Sequence, residues 1–225
     1  MTARPVSPYL EPNFYADALS KGRHRDIVGG RWDETGRAQM SALLAEGLAP
    51  HHRLLDIGAG SLRLGCKAAP YLDPGHYWAT DLSIALMQRG YDLELAQKDR
   101  LPVGQLVEDV DFSFAGIPDT IDYAIAFAVF THLPADNLER ALTNLHAKLK
   151  NLQRLLFTVF LAPDQNCAVA PFRQPDGVVT HPDRAPYHRL KDDVLRAAQN
   201  AGFSAQTRRT QLPRGQRLFV AQRTG

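Results

Sequence analysis

The stretch RLLDIGAGSLRLG, residues 53–65, decides the fold of this chain. Its apolar first half predicts a buried strand, and the glycines that follow predict a tight turn into a helix. Glycine lacks a Cβ and tolerates positive φ, so Gly58 and Gly60 let a ligand approach the main chain where a side chain would exclude it. The stretch therefore predicts a strand, turn and helix that together bind a nucleotide-like cofactor.

The nearest alternative is the dinucleotide fingerprint G-x-G-x-x-G, whose third glycine permits close packing of helix on strand. Arg63 occupies that third position here, which disfavours a nicotinamide-dependent oxidoreductase. Asp56 stands two residues before Gly58, and its carboxylate would repel phosphates but attract an ammonium group. The turn therefore favours a ligand that carries a free amino group.

Three further segments follow the turn at spacings of one βα unit each. The segment YWATDL, residues 77–82, predicts a second strand ending in an acid, and QLVEDV, residues 105–110, predicts a third. The segment IDYAIAFAVFTHLP, residues 121–134, predicts a fourth, apolar strand that runs into a helix. In this order the pieces resemble the class I S-adenosylmethionine-dependent methyltransferases over roughly residues 20–225.

The resemblance implies an α/β fold and a cofactor. The fold is a Rossmann-like, seven-stranded, mostly parallel sheet with the last strand antiparallel and helices on both faces. The cofactor is S-adenosylmethionine, with Asp81 at the ribose hydroxyls, Asp109 at the adenine amino group and Arg63 a candidate for the methionine carboxylate. The predicted cofactor contacts are Asp56, Ile57, Gly58, Ala59, Gly60, Arg63, Asp81, Leu82, Asp109, Val110, Ala126 and Phe127.

The remaining elements are predicted from hydrophobic periodicity and capping residues. The short link over residues 212–216 requires the last two strands to be antiparallel, because parallel neighbours need a long crossover. We expect a cap segment and first helix over residues 1–45, then a cofactor-binding domain over 46–225 with an inserted loop at 162–189. Helices are predicted at 34–48 (apolar stripe Met40, Leu43, Leu44 and Leu48), 83–97, 134–149 and 192–201, and strands at 155–161, 204–211 and 217–222.

Three segments are predicted to select the substrate, because links leaving the carboxyl ends of the strands share one rim of the sheet. They are residues 127–133, the long irregular segment 162–189 and the link 213–216, with residues 22–32 folding over the cofactor as a cap. The predicted substrate contacts are Trp32, Tyr187 and Arg214.

Two histidines are candidate catalytic bases, since a histidine near its usual pKa suits proton removal from an oxygen or nitrogen acceptor. His132 follows the fourth strand, where packing at the start of the next helix is the competing interpretation, and His188 lies in the long segment. His181, Asp183 and His188 have the residue types of a metal site, but loops carry surface histidines freely, so no metal is predicted. Related sequences commonly have polar residues at the positions of Phe127 and Ala128, so we expect the cap and the long loop to hold the acceptor.

Composition bounds the function. The 225 residues, 44% hydrophobic, allow one sizeable core. A balance of 26 basic and 24 acidic residues is too even to indicate a nucleic-acid partner, and the longest apolar stretch, 124–130, is too short to span a membrane. Two distant cysteines form no C-x-x-C motif, and the N-terminus does not resemble a signal peptide.

These observations predict a cytoplasmic methyltransferase for an oxygen or nitrogen of a small-molecule acceptor, with no nucleic-acid or membrane partner and an unknown oligomeric state. The alternative is a protein that binds S-adenosylmethionine without transferase activity, as a sensor or partner subunit. Its motivation is that no catalytic base stands out in the sequence.

Overall fold

The computed structural model describes residues 7–11 and 13–224. An eight-stranded sheet forms its centre, and a separate two-stranded hairpin lies beside it. The strands are β1 (Leu54–Ile57), β2 (Tyr77–Asp81), β3 (Leu106–Glu108), β4 (Tyr123–Ala126), β5 (Arg154–Leu161), β6 (Phe172–Arg173), β7 (Val179–Thr180), β8 (His188–Arg189), β9 (Phe203–Thr207) and β10 (Arg217–Arg223). The helices are α1 (Phe14–Ser20), α2 (Trp32–Ala45), α3 (Gly65–Tyr71), α4 (Ile84–Glu94), α5 (Ala135–Lys148), α6 (Gln165–Ala168) and α7 (Lys191–Asn200).

The main sheet has the strand order β3-β2-β1-β4-β5-β10-β9. Strands β1 to β5 pair in parallel, whereas β10 is antiparallel to both of its neighbours. The predicted seven-stranded sheet with an antiparallel last strand is therefore confirmed, and the two-residue strand β8 adds an eighth member alongside β5. Because the strand order reverses between β1 and β4, a crevice opens there beyond their carboxyl ends.

Helices cover both faces of the sheet, as predicted. On one face Leu43 of α2, Ala68 of α3 and Met87 of α4 pack against the sheet. On the other face Leu142 of α5 and Ala198 of α7 do the same. The strands between these layers are buried along their length: all four residues of both β1 and β4 are buried, and Asp56 is the one charged residue among them. Such continuous burial is typical of parallel strands with helices on both sides.

The predicted stripe of the first long helix is partly wrong. Leu43 is fully buried, but Leu44 is 44% exposed. The buried face of α2 instead includes Thr35, Gln39 and Ala42, at the four- and three-residue spacing of a helix face. Two polar residues, Thr35 and Gln39, are therefore buried on a helix face that the apolar pattern did not predict. The predicted helix over 83–97 and strand over 204–211 also end early, at Glu94 and Thr207.

The segment 162–189 is not irregular, which corrects the prediction. It contains the short helix α6, the hairpin of β6 and β7, and strand β8. Gln174 donates its main-chain N–H to the carbonyl of Val178 at 2.8 Å, and its own carbonyl accepts the N–H of Gly177 at 2.9 Å, which closes the turn. Strands of two residues are too short to produce an alternating pattern, so periodicity missed them.

The described part of the predicted cap lies on the glycine turn. The hydroxyl of Ser61 donates to the carbonyl of His24 at 2.9 Å, and Arg214 donates to the carbonyl of Gly29 at 2.5 Å. Residues 1–6 and 12 of the cap lie outside the described residues, and the division at residues 45 and 46 stays a prediction. Across residues 7–11 and 13–224, no helix combines the length and apolar character needed to cross a membrane.

Candidate active site

A cavity of about 240 Å³ opens at the carboxyl ends of β1, β2, β4 and β5. It brings the glycine turn together with residues from the cap, from the segment 162–189 and from the link before β10. Its walls are largely apolar and aromatic, as is usual for a small-molecule site. The polar residues that line it are Ser7, Tyr9, Tyr15, Thr35, Gln39, Arg63, Asp81, His132, Arg214 and Gln216.

The glycine turn forms the floor of this cavity. Gly58 and Gly60 have φ values of +69° and +58°, a conformation that other residues rarely adopt. A Cβ on Gly58 would lie 2.5 Å from Cγ2 of Val129, and one on Gly60 would lie 2.5 Å from Cγ1 of Val28. Both valines line the cavity, so any side chain at these glycines would push its walls apart.

Asp81 ends β2 and holds the turn. Its Oδ2 accepts the main-chain N–H of Gly60 at 2.9 Å, and its Oδ1 accepts that of Ser83 at 3.0 Å. Burial raises the pKa of Asp81 to about 6 although these donors favour the carboxylate. A carboxylate has about four acceptor positions, so Asp81 retains acceptor capacity towards the cavity that it lines.

Asp56 is turned away from the cavity. Its Oδ2 accepts the phenolic O–H of Tyr77 at 2.7 Å inside the core, and both side chains are almost completely buried. Burial raises the pKa of Asp56 to about 7, with the Tyr77 hydrogen bond acting in the opposite direction. Asp56 therefore supports the turn from below rather than facing a ligand's amino group from the cavity wall.

Asp109 also lies away from the cavity lining. Its carboxylate accepts the main-chain N–H groups of Ser113 and Phe114 at 3.0 and 2.9 Å, which closes the turn after β3. The neighbouring Val110 is 70% exposed. The third predicted strand thus supplies an acid, but that acid stabilises its own loop.

Arg63 is buried at the edge of the cavity. Its Nη1 donates to the carbonyls of Val28 and Gly30 at 2.8 and 3.3 Å, and its Nε faces Oε1 of Gln39 at 3.4 Å. Burial lowers its pKa to about 10. Within the described residues no carboxylate lies within 4.0 Å of its guanidinium. A buried cation that lines a cavity without an anionic partner is a candidate site for a carboxylate.

The other predicted cofactor contacts divide into two groups. Ala59, Leu82 and Phe127 line the cavity, whereas Ile57 and Ala126 are buried within their strands and do not reach it. Sequence reasoning missed Thr35 and Gln39, whose only signal was a polar residue on the buried face of α2. It also missed Leu86, Phe160 and Val178.

His132 lines the same cavity as the glycine turn. Its ring meets that of Tyr9 edge-on at a centroid distance of 4.9 Å, and Tyr9 stacks on Tyr15. Burial, followed by the nearby charge of Arg214, lowers the pKa of His132 to about 4. Neither ring nitrogen makes a hydrogen bond to another described residue. The imidazole is therefore neutral at physiological pH and has a nitrogen able to accept a proton.

The other residues predicted from the long segment and the cap do not join this cavity. Nδ1 of His188 shares a hydrogen bond with Oγ1 of Thr180 at 2.8 Å. His188 and Tyr187 line a second cavity of about 220 Å³ between α5, α7 and the segment 162–189. Trp32 begins α2, where the guanidinium of Arg25 lies 5.0 Å from the centre of its ring. Of the predicted substrate contacts, Arg214 is the one that reaches the main cavity.

Comparison with protein families identifies the core of this fold. Residues 55–151 match the model of a methyltransferase domain. The matched region begins within β1 and contains the glycine turn, Asp81, Asp109 and His132. The family match therefore covers the floor of the cavity and one of its walls.

Solved structures share the fold over nearly the whole chain. Magnesium protoporphyrin IX methyltransferase from Synechocystis PCC 6803, with S-adenosylhomocysteine bound, is 19% identical at a TM-score of 0.63, covering 93% of this chain and 97% of that one. The 1,6-didemethyltoxoflavin-N1-methyltransferase of Burkholderia thailandensis is 20% identical at a TM-score of 0.59, covering 100% and 94%. A Haloferax volcanii putative methyltransferase in complex with the Trm112 activator is 14% identical at a TM-score of 0.65, covering 94% and 98%. Residues 55–151 therefore carry a methyltransferase domain, and the chain shares its fold with methyltransferases that bind S-adenosylhomocysteine.

Proposed function

We propose that the protein transfers a methyl group to an oxygen or nitrogen of a small-molecule acceptor bound in the cavity above the glycine turn. The observation that carries the proposal is that Asp81 and His132 line the same cavity. One is a buried carboxylate with spare acceptor capacity, and the other is a neutral imidazole with a free nitrogen. The same cavity therefore has one residue suited to bind the cofactor and one suited to act on the acceptor.

The residues on the cofactor side fit S-adenosylmethionine. Gly58 and Gly60 leave a surface that a Cβ would fill, and Asp81 offers acceptor positions suited to ribose hydroxyls. Arg63, buried and without a carboxylate partner among the described residues, suits the methionine carboxylate. The proposal leaves Asp56 and Asp109 in supporting roles, because their oxygens are engaged within the fold.

When bound, S-adenosylmethionine supplies a methyl group made electrophilic by its sulfonium. His132 would accept the proton that an oxygen or nitrogen acceptor loses, since its ring is neutral and faces the cavity. Phe127, Val129 and Phe160 would exclude water and align the acceptor for attack. His188 has no part in the proposal, because it lines the other cavity.

The size and charge of the site favour a small acceptor. A volume of about 240 Å³ lies close to the lower end of small-molecule sites, which is roughly 300 Å³. The chain's net charge of +2 gives no electrostatic argument for a nucleic acid. Two proteins of the same fold are methyltransferases of small molecules, a magnesium protoporphyrin and a toxoflavin precursor, which also supports this class. The cytoplasmic location stays a prediction.

Incubation with S-adenosylmethionine carrying a deuterated methyl group tests the proposal. The purified protein is added to a metabolite extract, and mass spectrometry searches for compounds that gain the labelled methyl. Labelled small molecules that are absent with the Asp81→Ala variant support the proposal. Label confined to proteins or nucleic acids would contradict the small acceptor, and binding of the cofactor without any labelled product would favour the non-catalytic alternative.

A further inference from the structure

A buried chain of hydrogen bonds fixes the amide of Gln216 at the cavity. The main-chain N–H of Ala128 donates to Oγ1 of Thr158 at 2.7 Å, and that hydroxyl donates to Oε1 of Gln216 at 2.6 Å. A threonine hydroxyl has one proton, so once it accepts from Ala128 its proton is available for Gln216. Thr158 is fully buried and Gln216 is 6% exposed, so these hydrogen bonds are shielded from bulk water.

These hydrogen bonds determine which end of the Gln216 amide faces the cavity. The reversed orientation would direct an N–H₂ group at Oγ1 of Thr158 and leave the hydroxyl proton without a described acceptor. With Oε1 held by Thr158, the Nε2 group of Gln216 makes no hydrogen bond to any described residue, yet it is not sealed from the cavity. Two N–H donors are therefore presented to whatever occupies that side of the cavity.

Arg214 adds a positive charge two residues earlier in the same link. One of its nitrogens donates to the carbonyl of Gly29, and no carboxylate of a described residue lies within 4.0 Å of its guanidinium. It is close enough to His132 and Arg63 to lower the pKa of both. Asp81 is the one acid among the described residues that line the cavity, against the two arginines. Among the described lining residues, none near the link Leu212–Gln216 supplies a negative charge to balance Arg214.

Resting on the proposed function, we propose that the link Leu212–Gln216 recognises an ionised oxygen of the methyl acceptor, such as a carboxylate or a phenolate. The amide of Gln216 donates to that oxygen and Arg214 pairs with its charge, while Phe127, Phe160 and Pro186 contact an apolar body. Thr158 is a positioning residue, because it acts on the substrate only by orienting Gln216. The acceptor is therefore a small apolar acid rather than a neutral or cationic molecule.

Matched pairs of ligands test this specificity directly. The probes are benzoate with benzamide and 1-naphthoate with 1-naphthamide, titrated by ligand-observed NMR into protein saturated with S-adenosylhomocysteine. We expect each carboxylate to bind about tenfold more tightly than its amide, the effect of a charge-assisted hydrogen bond. Equal affinities within a pair, or no binding of either carboxylate, would overturn the inference.

Substitutions at Gln216, Thr158 and Arg214 test whether these residues cause the preference for carboxylates over amides. Gln216→Glu keeps an oxygen for Thr158 but replaces the donors with a charged acceptor, so the preference for carboxylates should disappear or reverse. Thr158→Val should weaken it by several-fold, and Arg214→Gln should reduce it by about tenfold. Gln211→Glu is the control, because Gln211 lies before the same link but is exposed and outside the cavity. An unchanged preference in Gln216→Glu would contradict the role of the amide.

Calorimetry with S-adenosylhomocysteine separates this inference from the proposed function. The affinity for this ligand should stay within about twofold of wild type in Gln211→Glu, because Gln211 is exposed and lies outside the cavity. If wild type does not bind S-adenosylhomocysteine, the proposed function fails. If it binds normally but does not distinguish acids from amides, only the specificity inference fails.

Discussion

Asp81 and Gly60 are joined by a hydrogen bond between neighbouring strand ends: Oδ2 of Asp81 accepts the main-chain N–H of Gly60 at 2.9 Å. Through this bond the acid that ends β2 sets the shape of the turn that follows β1. The same carboxylate also accepts the N–H of Ser83 at the start of α4. One side chain therefore organises the turn and offers its remaining acceptor capacity to the cavity.

The first prediction concerns that double role. Asp81→Ala should lower the affinity for S-adenosylhomocysteine at least tenfold and reduce the free energy of unfolding by about 1–3 kcal/mol, because buried N–H groups lose their acceptor. Asp81→Asn keeps one oxygen, so it should lose affinity with a smaller loss of stability. Calorimetry and urea denaturation measure the two effects.

Glu108→Gln is the matched control for Asp81. Glu108 pairs with Asp81 in the register of β2 and β3 but lies outside the cavity. Its exchange should leave the affinity for S-adenosylhomocysteine unchanged. If Glu108→Gln weakens binding as much as Asp81→Asn does, the effect comes from the general charge of this sheet edge and not from a contact.

Local pattern was sufficient to predict the first four strands of the main sheet and Asp81. They follow from apolar runs, a glycine turn and an acid at regular spacing, each readable within a few residues. The hydrogen-bond partners of Asp56 and Asp109, which keep these carboxylates away from the cavity, could not be predicted from local sequence. Asp56 is engaged by Tyr77, 21 residues away in sequence, and only the pairing of β1 with β2 brings the two together.

Residues contributed from distant segments were the hardest to predict. Gln216 reaches the cavity because β10 inserts between β5 and β9, which places Thr158 beside it. Tyr9 lies against His132 because the cap folds back over the turn. The predicted topology placed the link 213–216 at the site, but no periodic pattern marks Gln216 as the side chain held by Thr158 or Tyr9 as the ring against His132.

A second prediction concerns the pH dependence of stability. The folded pKa of Asp56 is about 7, above its ordinary value of 3.8, so the folded state holds this proton more tightly than the unfolded state does. The contribution to stability is complete below about pH 4 and is lost as the pH rises through 7. Asp56→Asn imitates the protonated form, so at pH 8 it should be more stable than wild type by a few kcal/mol at most, on the order of the shift.

Urea denaturation at pH 5, 6, 7 and 8 measures this difference. The difference in free energy of unfolding between wild type and Asp56→Asn should be smallest at pH 5, grow as the pH rises to about 7 and level off above it. Tyr77→Phe removes the donor that favours the ionised carboxylate, so it should cost more stability at pH 8 than at pH 5. Parallel curves for wild type and Asp56→Asn across this range would contradict the raised pKa.

The third prediction concerns His132. Its folded pKa of about 4 lies below its ordinary value of 6.5, so the unfolded state binds the extra proton and stability from this group falls as the pH drops from about 6.5 to 4. An NMR titration of the ring protons should find no titration of His132 between pH 5.5 and 8. Arg214→Gln removes a nearby positive charge, so it should raise the pKa of His132.

His146 serves as the comparison in the same titration. Its ring lies against Phe203, and the positive charges that act on it are those of Arg223 and Lys150 rather than Arg214. Its resonance should be unaffected by Arg214→Gln. A midpoint for His132 near 6.5 in wild type would show that the ring is solvated and would contradict its burial in the cavity.

The last prediction separates two reasons for the glycine at position 60. Gly60 and Gly75 both have positive φ, +58° and +78°, so an alanine at either position costs about 1–2 kcal/mol of backbone strain. A Cβ on Gly75 meets nothing within 4 Å, whereas one on Gly60 meets Val28 at 2.5 Å. Gly75→Ala should therefore lose stability only, and Gly60→Ala should also lose at least tenfold in affinity for S-adenosylhomocysteine.

The direction of that Cβ predicts a rescue. Because it points at Val28 of the cap, the double variant Gly60→Ala with Val28→Ala should recover most of the lost affinity while keeping the backbone strain, a coupling expected only for residues in contact. Val28→Ala alone should change affinity little. If the double variant binds no better than Gly60→Ala, the glycine is needed because the ligand itself lies against the main chain at that position, and the packing of the cap on the turn is secondary.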